Sequence, residues 1–279
     1  MALLSDRMRE HYARWREDLP AGSRWQDFFR DCPDPNFNAI PANLEIDDNA
    51  LIWPGRRDAI LPGAPREAHV GRAFDGIEPE NVRVVVLGQD PYPAIAEATG
   101  RAFEDGSWNA GIPPQALAKS LKPLMLAAWA TQPDHAGMFR PGGWSQLVGR
   151  PKFAFPEPSA YFNALAGEGV LFVNSAWTRT GDEHLAAHRS LWKPVLDYLL
   201  KKLAKSDQPM IFLLLGGDAR EAFCAADPVC NRSAIVDSGH PRSAEVFKRR
   251  NPLERVNLAL GELGGAPVRW WSVPPHDAV

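Results

Sequence analysis

Four short runs of Val, Ile, Leu and Phe, with a helical repeat between the second and third, leave this chain few ways to fold. The runs are Val82–Leu87, Val170–Val173, Met210–Leu215 and Ala234–Val236. Continuous apolar runs of this length read as strands buried on both faces. Between the second and third, Leu191, Val195, Leu199 and Leu203 recur every four residues, as on one face of a helix. Ser190 is the expected cap of that helix, which puts Pro194 in its first turn. Strands alternating with helices imply a parallel sheet with right-handed crossovers. Residues 1–80 read as helices plus a Pro-rich stretch, and residues 251–263 as a further helix. Segment 131–160, rich in Pro and Gly and without a clear period, reads as a long surface insertion. The expectation is α/β: a single domain over 1–279, with a central parallel four-stranded sheet flanked by helices.

Composition narrows the function classes. At 279 residues, 45% hydrophobic and 23% charged, the chain can bury a sizeable core. It has no apolar run of transmembrane length, and its start, MALLSDRMREHYARW, is charged too early for a secretory signal. The expected location is the cytoplasm. Cys32, Cys224 and Cys230 form neither a CxxC pair nor an even set, which argues against a disulfide framework, a zinc site or an iron–sulfur cluster. His184 and His188 stand four apart without a convincing third ligand, so a structural role is expected rather than a metal. A net charge of -3 does not suit a protein that coats DNA, yet Arg242, Lys248, Arg249, Arg250 and Arg255 form a local basic cluster.

Ligands of an open parallel sheet bind beyond the carboxyl ends of its strands. Here those ends lead into Gly88-Gln89-Asp90-Pro91-Tyr92-Pro93, Asn174-Ser175, Gly216-Gly217 and Ser238-Gly239-His240-Pro241. An acid, an amide, a glycine pair and a histidine are thus expected on one edge. No GxGxxG or GxxxxGK[ST] follows the first run, which argues against a nucleotide-binding enzyme.

These segments carry a specific resemblance. VVVLGQDPYP resembles the water-activating GQDPYH loop of family 1 uracil-DNA glycosylases. GRAFED is similar to the segment bearing that family's stacking phenylalanine, and GVLFVNSAWT to the strand ending in its uracil-reading asparagine. LLLGGDARE resembles its Gly-Ser loop, GHPRSAE its HPSPLS loop, and LIWPGRRDAI its segment before the first strand. The likenesses follow family order over roughly residues 50–260.

The resemblance implies a monomeric DNA repair hydrolase without metal or cofactor. It would extrude uracil from single- or double-stranded DNA and cleave its N-glycosidic bond. Asp90 would orient the attacking water and stabilise the cationic sugar. His240 would donate a hydrogen bond to uracil O2. Asn174 would read O4 and N3–H, a pattern cytosine reverses. Tyr92 would exclude the 5-methyl of thymine, Phe103 would stack on the base, and Gln89 would touch it through its backbone. Pro113, Ser120, Gly216, Gly217, Arg242 and Ser243 are the implied DNA contacts. A non-catalytic binder of uracil or damaged DNA is the alternative.

The chain also departs from the family pattern. Pro93 replaces a histidine, which implies a lower rate. Arg242 stands at a serine position, and Ala244 where the family has a wedge leucine that fills the gap left by the base. Gln115 follows Ile112-Pro113-Pro114 where the family has serine, and Ser120-Leu121-Lys122 offers a second alignment of that loop.

Overall fold

The computed structural model describes residues 1–108, 117–150, 156–243, 247 and 249–271. Its centre is a parallel sheet of β3 (Val84–Gly88), β4 (Val170–Asn174), β5 (Met210–Leu215) and β6 (Ser233–Ser238), in the order β4-β3-β5-β6. A separate antiparallel pair, β1 (Ala2–Leu3) and β2 (Glu45–Ile46), ties the N-terminus to the body. All four apolar runs are therefore strands; Met210–Leu215 keeps its expected bounds and the other three shift at their ends. Val82 sits just past a 3-10 turn, Pro79–Asn81, and pairing runs on to include Gly88 and Asn174. At the far edge, β6 extends to Ser238 because its register with β5 matches Leu215 to Ser238.

Side chains alternate across the sheet, as strand geometry requires. Val85, Leu87, Leu171, Val173, Phe212 and Leu214 enter one core; Val84, Val86, Val170, Phe172, Ile211 and Leu213 enter the other. The N-terminal helices α1 (Leu4–Tyr12) and α2 (Trp25–Phe28) cover the first face, where Trp15 meets Trp177 and Trp192 edge to face, Trp25 stacks on Phe29, and Phe74 packs tilted against Trp25 and Trp177. On the second face lie α3 (Leu121–Trp129) and α5 (Pro158–Gly167). Between them in sequence comes α4 (Gly143–Val148), which with a 3-10 turn at Pro133–Met138 packs Leu147 and Met138 of segment 131–160 against Leu126 of α3 in a small separate cluster.

The helix expected to start at Ser190 is longer. It is α6, Leu185–Ala204, with His184 at its N-cap and Pro194 inside it. Its buried stripe begins at Ala187 and His188 and continues through Leu191, Val195, Leu199 and Leu203. Burial of that stripe outweighs the one backbone hydrogen bond Pro194 cannot donate to Ser190. With α7 (Gly217–Ala226) it lies on the first face, while α8 (Pro252–Glu262) closes the second. Asn251 caps α8, its side chain accepting from the Leu253 N–H at 3.0 Å. Among the described residues no helix is long and apolar enough to cross a membrane.

Candidate active site

The chain leaves β3 toward β4 on one side and, after α6, reaches β5 on the other. The β3–β5 gap is thus a topological switch point, where the loops beyond the strands part. A cavity of about 420 Å³ opens there, lined among others by Asp90, Tyr92, Phe103, Asn174, Arg179 and His240. Gly88, Gln89, Pro93, Ser120 and Arg242 also border it.

Asn174 is placed by sheet register, since its Cα is directly opposite Gly88. A Cβ on Gly88 would collide with Asn174 Oδ1 and press Ala102 Cβ at 3.0 Å. Glycine at the end of β3 is what lets the carboxamide lie over the strand. Asn174 is 5% exposed, yet its carboxamide has no hydrogen-bond partner among the described residues. Asn174 lines the cavity, so the carboxamide is open to a ligand's donor and acceptor. Pairing continues past the strands: the Ser175 and Ala176 N–H groups donate to the carbonyls of Gly88 and Gln89, both at 3.0 Å. Ser175 Oγ donates to the same Gln89 carbonyl at 2.6 Å.

The loop after β3 then bends through Asp90 to Tyr92. The Tyr92 hydroxyl donates to the Phe103 carbonyl at 3.2 Å and pairs with Ser120 Oγ at 3.0 Å. Burial pushes the Tyr92 phenol up, beyond what its bond to Ser120 offsets. Ser120, an implied phosphate contact, is itself buried and stands behind the tyrosine with its hydroxyl engaged. Trp53 Nε1 donates to the Tyr92 carbonyl at 2.9 Å, and the Trp53 backbone exchanges hydrogen bonds with Arg179 at 2.9 and 2.7 Å. The Pro-containing segment before the first strand thereby clamps both loops.

Phe103 has φ of 64°, in the left-handed region. For a bulky residue this costs about 1–3 kcal/mol and persists only where the surroundings enforce it. They do so here. Arg101, buried, donates to Asn163 Oδ1 at 3.1 Å and to the Asp75 carbonyl at 3.0 Å, while an antiparallel bridge joins Ala98 to Asp105. The ring faces His240, with centroids 6.2 Å apart.

His240 follows β6. The main-chain N–H of Arg242 donates to its Nδ1 at 3.1 Å, so the neutral ring carries its proton on Nε2. Burial, helped by the Arg242 charge, lowers its pKa from the ordinary value. The site thus holds a neutral imidazole with Nε2–H as donor. Gly216, at φ 102°, makes room for it, since a Cβ there would come within 3.0 Å of His240 Cβ. A Cβ on Gly217 would meet open space, so of the glycine pair only Gly216 is required by packing.

Asp90 is buried, which pushes its carboxyl above the usual range; the guanidinium of Arg179, to which it is ion-paired, works against that. Arg179 was not anticipated. The available signal was a charged residue between two threonines, Thr178 and Thr180, directly after a buried strand.

The family model of the uracil DNA glycosylase superfamily matches residues 74–263, a span that holds each of these groups except Trp53. The chain belongs to this superfamily. The uracil-DNA glycosylase of Deinococcus deserti is 30% identical over 90% of this chain and 89% of its own length. That of Salmonella arizonae is 29% identical over 80% of this chain and 87% of its own. Among solved structures, wild-type UNG from Nitratifractor salsuginis shares the fold with a TM-score of 0.60 at 18% identity, covering 93% of this chain and 98% of that one. The mimivirus uracil-DNA glycosylase does so with a TM-score of 0.60 at 17% identity, covering 97% and 94%. The single-domain α/β fold expected from the sequence is thus that of the superfamily.

Within this glycosylase fold, the structure brings Gln89, Asp90, Tyr92, Phe103, Asn174 and His240 together, with Arg242 at the exposed rim. Ser243 is exposed beside it, its N–H donating to the His240 carbonyl at 2.8 Å. Pro113, Gln115, Ala244 and Lys248 lie outside the described residues. Of the basic cluster, Arg249 and Arg250 are exposed, whereas Arg255 is turned inward to the Asp237 carbonyl at 2.6 Å. Both ring nitrogens of His188 are engaged by threonine hydroxyls, Thr178 at 2.9 Å and Thr180 at 3.1 Å. His184 Nδ1 pairs with Thr180 at 3.0 Å. These histidines brace the loop after β4, and no group of three or more potential metal ligands occurs among the described residues.

Proposed function

We propose that this protein hydrolyses the N-glycosidic bond of uracil in DNA, leaving an abasic site for repair. The observation that carries the reading is one cavity where an unpartnered Asn174 carboxamide, the Asp90 carboxylate and a neutral His240 with Nε2–H meet beside Phe103. In the reaction the N1–C1′ bond breaks, its electron pair leaves with uracil, and water adds to C1′, the proton it loses passing through solvent to the uracil anion. Asp90 orients that water and faces the cationic sugar. His240 donates to O2, where the uracil anion gathers charge, as a preorganised dipole. Asn174 pairs with O4 and N3–H, and cytosine would leave its buried amide mismatched.

Because the bond is hidden in a duplex, the nucleotide is extruded into the cavity, where Phe103 stacks on it. The substrate class is single- and double-stranded uracil-containing DNA, acted on by a cytoplasmic monomer without a metal. Incubating a uracil-containing oligonucleotide with the protein in EDTA and scoring alkali-labile strand breaks tests this. Tight binding without breaks would favour the non-catalytic binder instead.

Tyr92→Ala is expected to gain release of thymine from T:G duplexes while still releasing uracil, because the ring leaves room for the 5-methyl group. Its lost anchors to Phe103 and Ser120 lower the uracil rate at the same time. No gain on thymine, in a variant active on uracil, would place the methyl block elsewhere.

Arg242→Ala is expected to reduce kcat/KM on duplex DNA more than on single strands. The residue lies exposed at the cavity rim, where a long planar cation can support the opened stack. A residue serving only the general basic surface would affect both substrates alike, with added salt mimicking the loss. Equal losses on the two substrates remove the wedge role.

A further inference from the structure

Arg179 takes no part in the steps described above, yet its guanidinium reaches the catalytic carboxylate. Nη1 donates to Asp90 Oδ2 and, at 3.4 Å, to the Pro91 carbonyl; Nη2 pairs with Asp182. Asp90 Oδ1 has no partner among the described residues and is left to the cavity. We propose that Arg179 is a positioning residue for cleavage, holding Asp90 by one carboxylate oxygen so that the other is aimed at the attacking water. The role rests on the uracil-cleaving reading of the site.

The surroundings over-determine Arg179. Its backbone N–H and C=O are both bonded to Trp53. On either side, Thr178 and Thr180 bond the buried His188 ring, and Trp192 Nε1 donates to Thr178 Oγ1 at 2.7 Å. With both threonines fixed on His188, the side chain between them is turned the other way, toward Asp90. The geometry does more than tie two loops together: a monodentate contact fixes the carboxylate's rotation, which a backbone contact would not. It also sets the charge balance. Burial opposes ionisation of Asp90, Arg179 and more weakly Arg189 favour it, and Asp218 opposes it. His240 and Arg242 line the same cavity, and Asp182, 83% exposed, shares Arg179 from outside.

Arg179→Gln is expected to lower kcat on the order of 10²-fold, the scale of loss when a reacting group is misplaced, and to move the acid limb of kcat to higher pH. Inhibition by free uracil should be unchanged, and Arg179→Lys should restore the limb and part of the rate. In an Asp90→Asn background, Arg179→Gln should add little further loss. Carboxyl ¹³C NMR of Asp90 in the free protein reads the pairing without turnover, and its titration should move upward in Arg179→Gln. An unmoved acid limb, or a full further loss in the Asp90→Asn background, overturns the proposal and leaves Arg179 structural. Should Arg179→Gln not fold, Arg179→Lys decides: a kcat loss that disappears in the Asp90→Asn background supports the role, and an equal loss in that background overturns it. Absence of uracil release by the wild-type protein would sink the function, while the carboxyl titration would still report on the pairing.

Discussion

Asp90→Asn is expected to lower kcat for uracil release by about 10²–10⁴-fold while leaving the affinity for uracil-containing DNA nearly unchanged. The amide keeps the shape of the side chain but removes the charge, and the charge is needed chiefly once the sugar becomes cationic. The loss should therefore appear in kcat rather than KM. The pH profile supplies a second reading. Burial raises the Asp90 pKa above the ordinary 3.8 despite Arg179, so activity should fall with decreasing pH earlier than an exposed aspartate would allow. That acid limb should vanish from whatever residual rate Asp90→Asn retains. Lowered by burial, His240 needs no proton to donate from Nε2, and its titration should not limit the rate near neutrality. Single-turnover kinetics over pH with the variant and its parent check both points. A variant within a fewfold of wild type would remove Asp90 from the chemistry.

Asp75→Ala is expected to destabilise the fold by about 1–3 kcal/mol, the usual cost of leaving buried donors without an acceptor. Arg72 keeps Glu67 at 2.6 Å and the Arg57 side chain is 37% exposed, which holds the loss below that of a stripped buried ion pair. The Asp75 side chain is 16% exposed and meets Arg57 at 2.6 Å, His69 at 3.0 Å and Arg72 at 3.2 Å. Burial alone would push this carboxyl up, but the hydrogen bonds and charges of His69 and Arg57 overcome it and hold it well below the ordinary value. Because the folded pKa lies below the unfolded 3.8, its stabilisation is fully present above that unfolded value. It is lost as pH falls through the folded one. Wild type and variant should converge in acid and separate toward neutrality. At about 2–4 °C per kcal/mol for a chain of this size, the melting temperature should drop by roughly 5 °C. Calorimetry at neutral and acid pH measures this; an unchanged melting temperature at neutral pH would show that the remaining partners suffice. The Arg101 bond to the main-chain carbonyl of residue 75 is retained in the variant, so the support of Phe103 should persist while the fold loses stability.

Much of this protein was legible before its structure. The apolar runs became strands because unbroken runs of β-branched and large aliphatic residues bury both faces of a sheet. The meeting of Asp90, Asn174 and His240 in one cavity was legible because ligand sites of such a sheet lie beyond its carboxyl ends. Element ends were less so. Ser190 looked like a cap and Pro194 like a first-turn residue, yet α6 begins at Leu185 because the stripe it buries begins there.

The linear order of residues determined which segments become strands of the parallel sheet, which polar groups stand at their carboxyl ends, and which superfamily the chain belongs to. Those properties follow from local apolar patterning and short contiguous motifs. The pairing of Arg179 with Asp90, 89 residues apart, was decided only by the tertiary structure. So were the proton on His240 Nε2, set by one backbone N–H, and the left-handed Phe103, enforced by Arg101. The bond between the hydroxyls of Ser120 and Tyr92 is likewise a product of the tertiary structure. Hydrogen bonds and ion pairs act over a few ångströms in space and at any distance along the chain, so their partners emerge only when the sheet has set its register and drawn the loops together.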